Sequence, residues 1–203
     1  MTKPLHEMPL GKLLESTASK SPTPGGGAIA AVTGALGAAL AGMSVAFSVG
    51  KKSLAEHEDE LQQAADDLKQ MQHDWLGLSQ ADASAYAEMN RLQRLDEGDP
   101  ARAGLAAAIQ AATNVPMQGC RMAETALHKF ERLSGITNRW LLSDLAIAAV
   151  LAEAACRACA WNVRVNLPSI EDATRRAELD AEAAALVRTC RELTERVEDA
   201  CKA

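Results

Sequence analysis

The residues able to do chemistry in this chain stand where their types are out of place. Asp82 falls in a stripe of every seventh residue, Leu61, Leu68, Trp75, Asp82 and Met89, that is otherwise apolar. Asp144 stands at the start of an apolar segment. Asn162 and Asn166 lie four residues apart near its end, on one face if the segment is helical. Burying an unpaired charge or amide is costly, so such residues have either a local partner or a functional role. The Pro24-Gly25-Gly26-Gly27 loop precedes an uncharged run that reaches Val49. Glycines let a ligand approach the backbone, and the free N–H groups and positive dipole end of a helix suit an anion or an electron-rich group. Close approach is expected at Gly26. Lys51 and Lys52 end the same run behind Gly50, where cations complement the other end of the dipole.

Each of these residues also has a plain structural reading. The glycines and lysines suit the entry and exit of a buried helix. Asp144, after Ser143, suits a first-turn dipole partner, Asn166 a C-terminal cap, and Asp82 an ion pair with a lysine on a neighbouring helix. Asn162 is the hardest to account for in this way. His57, His73 and His128 fall on polar faces without metal-ligand spacing, so no metal site is expected.

Helices must position these residues. Alanine is abundant, aromatic residues make up only 3% and β-branched residues are sparse, which favours helix over sheet. The pattern predicts a short helix from Pro9 to Ser19, a central helix from Gly26 to Val49, and a long third helix from Leu54 to Leu95. A fourth runs from Pro100 to Leu133, a fifth from Leu142 to Leu167 and a last one to Cys201. Ser53 with Glu56, and Ser169 with Asp172, read as capping boxes, and Asp99-Pro100 as a cap followed by a first-turn proline. Pro116 is expected to kink or break the fourth helix. Ala30, Gly34, Ala38 and Gly42 form a strip of almost bare backbone that permits close helix contact. The run from Ala28 to Val49 is long enough to cross a bilayer, but small residues outnumber large apolar ones in it. It reads as the central helix of a bundle, covered by neighbours on every side. The expected fold is an all-α, antiparallel up-and-down bundle of five to six helices, one domain over residues 1–203.

The net charge of −6 argues against nucleic acid or an anionic membrane as the main partner. The N-terminus lacks the apolar core of a signal peptide, which points to the cytoplasm. Five cysteines, an odd number in helical patterns, read as reduced thiols, and Cys156-x-x-Cys159 as two core residues.

Pro22-Thr23-Pro24-Gly25-Gly26-Gly27, Gly34-Ala35-Leu36-Gly37-Ala38-Ala39-Leu40 and Val49-Gly50-Lys51-Lys52 resemble the cyclodeaminase/cyclohydrolase family. That family comprises the C-terminal domain of formiminotransferase-cyclodeaminase and bacterial methenyltetrahydrofolate cyclohydrolases. Asp82-x-x-Ala85-Tyr86, Val115-Pro116, Ser143-Asp144 and Asn162-Val163-Arg164-Val165-Asn166-Leu167 follow in the family's order. Tyr86 stands where Phe is usual, and Arg91-Leu92-Gln93-Arg94 replaces a Leu-Pro-Lys segment. No formiminotransferase region is present, so the chain looks like the stand-alone form.

The resemblance implies an all-helical homodimer that binds a tetrahydrofolate and needs no further cofactor. It implies hydrolysis of 5,10-methenyltetrahydrofolate to the 10-formyl form, or release of ammonia from 5-formiminotetrahydrofolate. It also implies roles: Lys51 or Lys52 as acid/base, Asp82 and Asp144 as bases or cation stabilisers, and Pro24, Gly25, Gly26, Gly27, Asn162 and Asn166 as binding residues. The alternative of another class is a helical binding or regulatory protein that has kept the bundle without the activity. Alternating helix directions put the glycines, Asp82, Asn162 and Asn166 at one end of the bundle. Lys51, Lys52 and Asp144 fall at the other, so a site using both groups must be shared across a dimer.

Overall fold

The computed structural model describes residues 5–21 and 23–202. Met1–Pro4, where the segment read for a leader begins, and Pro22 of the proline–glycine motif lie outside the described residues. Among the described residues every regular element is helical. The helices are α1 (Leu10–Thr17), α2 (Gly26–Ala46), α3 (Glu58–Gln93), α4 (Leu105–Ser134), α5 (Leu142–Asn166) and α6 (Ala173–Cys201). Short 3-10 turns lie between them at Lys52–His57, Pro100–Gly104, Arg139–Leu141 and Leu167–Ser169. Helices α2 to α5 pack in sequence and α5 returns to α2, closing a four-helix ring, with α6 laid over α4 and α5. Successive helices run antiparallel, as the up-and-down reading requires.

The bare strip on α2 is what lets α3 come so near. A Cβ on Gly34 would lie 2.5 Å from the ring of Trp75, the largest fully buried side chain, so the indole lies flat on the glycine backbone. Ala30 and Ala38 of the same strip are buried, and Gly42 faces Leu68 and Gln72 of α3. A second set of small residues, Gly37 among them, faces the Ala148–Ala152 stretch of α5. The α3 stripe behaves as expected, with Leu61, Leu68, Trp75 and Met89 all buried.

The expected central helix is present, but it is not at the centre. Only α3 and α5 flank α2 closely, and Leu36 and Phe47 on its outer face are 56% and 59% exposed. The helix packed on three sides is α5, which touches α2, α4 and α6. By length and composition α2 could span a bilayer, yet more than half of its apolar window is buried in the fold. Cys156 and Cys159 are core residues on α5, and burial among neighbouring thiols pushes both thiols up in pKa, so they stay protonated.

Several caps differ from expectation. Residues 52–57 form a 3-10 turn, so Ser53 caps nothing; α3 begins at Glu58, whose carboxylate accepts the Gly50 N–H at 2.8 Å. Helix α2 ends at Ala46 with Phe47 as its cap and not at Val49, so Gly50 does not stop the helix; its φ of 76° makes a left-handed turn beyond the helix end. Asp172 itself caps α6, accepting from the N–H groups of Thr174 and Arg175, and Ser169 belongs to the preceding turn. Asp99 accepts the Ala101 N–H at the start of the turn that leads into α4. Pro116 does not break α4, which runs through it from Leu105 to Ser134.

The α2–α3 contact yields a direct test. Gly34→Val is expected to force the two helices apart and cost about 1–3 kcal/mol of stability. Thermal unfolding followed by circular dichroism reads this as a lowered midpoint. An unchanged midpoint would mean that the Trp75–Gly34 packing carries no strain on enlargement.

Candidate functional site

At the end of the bundle where α2 begins, a cavity of about 210 Å³ lies between four helices. Gly25, Gly26 and Gly27 form the edge contributed by α2, and Asp82 and Tyr86 the edge from α3. Asn162, Val165 and Asn166 enter from the last turns of α5, and Ala112 from α4. The glycines, Asp82 and the two asparagines thus meet as predicted from alternating helix directions. Pro24 is buried and is not among the lining residues. Tyr86, of the Asp82-x-x-Ala85-Tyr86 motif, is a lining residue that the sequence signals only through its four-residue spacing from Asp82, which puts both on one face of α3. Val165 gave no signal of its own.

The close approach is at Gly27, not Gly26. A Cβ on Gly27 would sit 2.2 Å from Asp82 Oδ1 and 2.4 Å from Oδ2, whereas one on Gly26 would be 3.7 Å from Asn162 Oδ1, an ordinary contact. The carboxylate of Asp82 therefore rests on the bare backbone of the first turn of α2. No side chain caps that turn. Its leading N–H groups and the dipole they sum to are left for whatever enters the cavity. Among the described residues no lysine or arginine pairs with Asp82, so the ion-pair reading fails. Burial, without a compensating cation, pushes the Asp82 carboxyl above its ordinary range.

The asparagines are held by backbone carbonyls. Asn162 Nδ2 donates to Ala158 O at 2.9 Å, one turn back on α5. Asn166 Nδ2 donates to Ala112 O on α4 at 2.8 Å. Ala112 is the residue whose carbonyl Pro116, lacking an N–H, leaves without its helical donor. Asn166 supplies the missing bond across the helix interface, so it is not the C-terminal cap it resembles. This bond also explains how α4 passes a proline without breaking. With both amide nitrogens committed, each asparagine has its Oδ1 free as an acceptor. The cavity joins three side-chain acceptors, Asp82 among them, to a row of backbone donors.

The second group of residues is at the far end of α2. With 21 residues, that helix is roughly 32 Å long at about 1.5 Å per residue. Lys51 lines a separate cleft there with Leu54, Asn138, Arg139 and Trp140. Lys52 is exposed in the following turn and does not line it. Asp144 lies in the first turn of α5 and lines neither cavity, which is the position of a dipole partner. Asn138 ties this end together: its N–H donates to Ser48 Oγ at 2.8 Å and its Oδ1 accepts from Trp140 N–H at 3.3 Å. Among the described residues no three His, Cys, Asp or Glu side chains are grouped as metal ligands.

The raised pKa of Asp82 has a definite sign in stability. Its folded form holds the proton more tightly than the unfolded chain, so its contribution to stability falls as pH rises through the carboxylate range. Asp82→Asn removes a buried charge and is expected to raise the unfolding midpoint at neutral pH. The gain should shrink to nothing at pH values below the ordinary carboxylate pKa of 3.8. A variant less stable than wild type at neutral pH would show that Asp82 holds a stabilising interaction as an anion.

A family profile described as formiminotransferase-cyclodeaminase matches residues 9–185. A methenyltetrahydrofolate cyclohydrolase of Methylorubrum extorquens is 32% identical over 194 residues, covering 93% of each chain. The formimidoyltransferase-cyclodeaminase of Gallus gallus is 27% identical over 178 residues, and there the match spans 84% of this chain but only 32% of that protein. The crystal structure of formiminotetrahydrofolate cyclodeaminase from Thermotoga maritima superposes with a TM-score of 0.89, at 28% identity and 98% coverage of both chains. With a profile match over most of its length, a relative aligned nearly end to end and a shared fold, the chain belongs to the formiminotransferase-cyclodeaminase family.

Proposed function

We propose that this chain is an enzyme of tetrahydrofolate one-carbon chemistry, most directly a 5,10-methenyltetrahydrofolate cyclohydrolase. The observation that carries the reading is the glycine-end cavity, where a carboxylate and two asparagines line the same space as the uncapped first turn of α2. The pyrimidine edge of a pterin presents N–H donors at N3 and the 2-amino group beside an O4 acceptor. Acceptors from Asn162 and Asn166, with donors from the glycine backbone, suit that edge and leave Asp82 for the reacting carbon. The cyclohydrolase relative aligned over 93% of both chains supports the reaction.

The chemistry asks little of the protein beyond placement and proton transfer. The methenyl carbon of the substrate belongs to a delocalised cation, so water adds to it once a base accepts the water proton. The N5–carbon bond then breaks as a proton reaches N5 and the new hydroxyl gives up its own, leaving the formyl group on N10. Asp82, anionic and poorly solvated, stabilises the cation and is suited to take the proton. A lysine is suited to deliver one to the leaving nitrogen. Lys51, which lines a cleft, fits that role better than exposed Lys52. Ammonia release from the 5-formimino substrate passes through the same carbon, and the cyclodeaminase of the same fold keeps it as the second reading.

Lys51 and Asp82 lie too far apart in one chain to act on one small head group, and this supports a shared-site homodimer. The outer face of α2 and α5 carries Ile147, Val150, Trp161 and Val165 beside Leu36 and Phe47, all between 43% and 71% exposed. Trp140 continues this face at the lysine end. Arg164 lies over the Trp161 ring and Arg139 over that of Trp140. An apolar face of this extent, with Trp and Arg at its ends, has the make-up of an interface core. Val165 borders the glycine cavity and Trp140 the lysine cleft, so a two-fold axis through the middle of the face would bring each cleft to the partner's cavity. The small-residue strip of α2 is occupied by α3 and takes no part in this face. The free cysteines and net charge of −6 agree with a cytoplasmic, soluble protein that engages neither nucleic acid nor an anionic membrane.

Loss of the near-ultraviolet absorbance of 5,10-methenyltetrahydrofolate on adding purified protein is the first test, with the 5-formimino substrate run in parallel. Turnover of neither would leave the non-catalytic alternative. Lys51→Met is expected to lower turnover about 10²–10⁴-fold while leaving the far-ultraviolet dichroism intact; a near-wild-type rate would remove Lys51 from the mechanism. Mixing Lys51→Met with Asp82→Asn subunits is expected to restore part of the activity, since one site of each mixed dimer is whole. Demonstrated subunit exchange without recovery would sink the shared site.

A further inference from the structure

The glycine-end cavity has an outlet. Thr23 and Tyr86 line it and also line a second groove, of about 400 Å³, that continues along α3 past Asn90 to Arg94. Tyr86 shares a face with Asp82, and Asn90 and Arg94 follow at further four-residue steps that wind round α3 to its C-cap at Arg94, all three lining this groove. The path from Asp82 to Arg94 is about 18 Å long at the α-helical rise, comparable with an extended pteroylglutamate. Its chemistry changes in the order of that molecule. Acceptors surround the inner end, a half-exposed tyrosine ring stands at the threshold, an amide follows, and a guanidinium closes the far end.

Two arginines border the groove, and they differ in what they already hold. Arg91 makes a two-pronged ion pair with Glu88, both bonds 2.8 Å. Arg94 makes no side-chain hydrogen bond or ion pair among the described residues, and is exposed. A planar guanidinium with its donors uncommitted is the group best shaped to take a carboxylate in a fork.

We propose that the groove lined by Tyr86, Asn90 and Arg94 receives the p-aminobenzoyl-glutamate tail of the folate, with Arg94 binding a carboxylate of its glutamate. This rests on the reading of the glycine-end cavity as the pterin site. It adds a specificity determinant outside the reacting centre: the arm on α3 selects folates that carry glutamate over the same pterin without it. Tyr86 covers the benzoyl ring at the point where the two cavities join.

The test is a pair of ligands and a pair of variants, read by titration calorimetry. The ligands are 5-formyltetrahydrofolate, which is chemically stable, and 5-formyltetrahydropteroate, which has the same pterin and benzoyl groups but no glutamate. Wild-type protein is expected to bind the glutamylated ligand about tenfold more tightly, the worth of one charge-assisted contact. Arg94→Ala is expected to erase that difference by weakening only the glutamylated ligand, and Arg94→Lys to restore part of it. The preference should also weaken as salt is raised. Equal affinity of wild type for the two ligands, or equal loss for both in Arg94→Ala, would overturn the role of Arg94 while leaving the pterin site standing. Binding of neither ligand by wild type would overturn the pterin site and the tail groove together.

Discussion

The structure depends on how closely α3 can lie on α2. That distance is set by glycine backbone at two points in one antiparallel register. Trp75 lies over Gly34, and seven residues further along each helix, in opposite directions, Asp82 lies over Gly27. The first contact is core packing and the second is the floor of the cavity. Both need the same thing, a helix surface without Cβ atoms, so the packing that stabilises the bundle also delivers the carboxylate to the open end of α2. Shifting α3 along α2 to relieve one contact would misplace the other.

A comparable economy holds at the α4–α5 contact. Pro116 removes one donor from α4, and the orphaned carbonyl of Ala112 is met by Asn166. A buried unsatisfied carbonyl would cost more than the helical bond it replaces, so the asparagine is under a structural constraint before any ligand is considered. The same residue lines the cavity. Asn162 is arranged in the same sense by Ala158 O. A cavity rich in acceptors and open to backbone donors therefore follows from how two helices satisfy their own polar groups. Burial raises the Asp82 pKa, and among the described residues no cation offsets it.

The other feature that shapes function is a face left uncovered. With α5 in the middle of the bundle and α6 laid on α4 and α5, one side of α2 and α5 stays exposed among the described residues. Two of the three tryptophans stand on that side, Trp140 at 73% and Trp161 at 69% exposed, while Trp75 is at 1%. The mean character of α2, apolar all round, reflects this: the apolar residues on its outer face are not core residues of the single chain.

Much was legible from the sequence because it depends on local pattern. Helix order, the heptad stripe of α3, the turn at Gly50 and the grouping of candidate residues into two ends all follow from periodicity, turn chemistry and alternating direction. Family likeness then attached a chemistry to those positions. What local pattern could not supply was pairwise. Only the fold shows that Gly27 and not Gly26 receives Asp82, or that Lys51 and not Lys52 lines a cleft. Only the fold shows that Asn166 completes the hydrogen bonding of a helix broken in sequence but not in space, and that α5 rather than α2 is the central helix. A residue's type and spacing determine which face of its own helix it occupies. Which atoms it meets is decided by the rotation and depth at which two helices pack, and these are set by side chains distant in the chain.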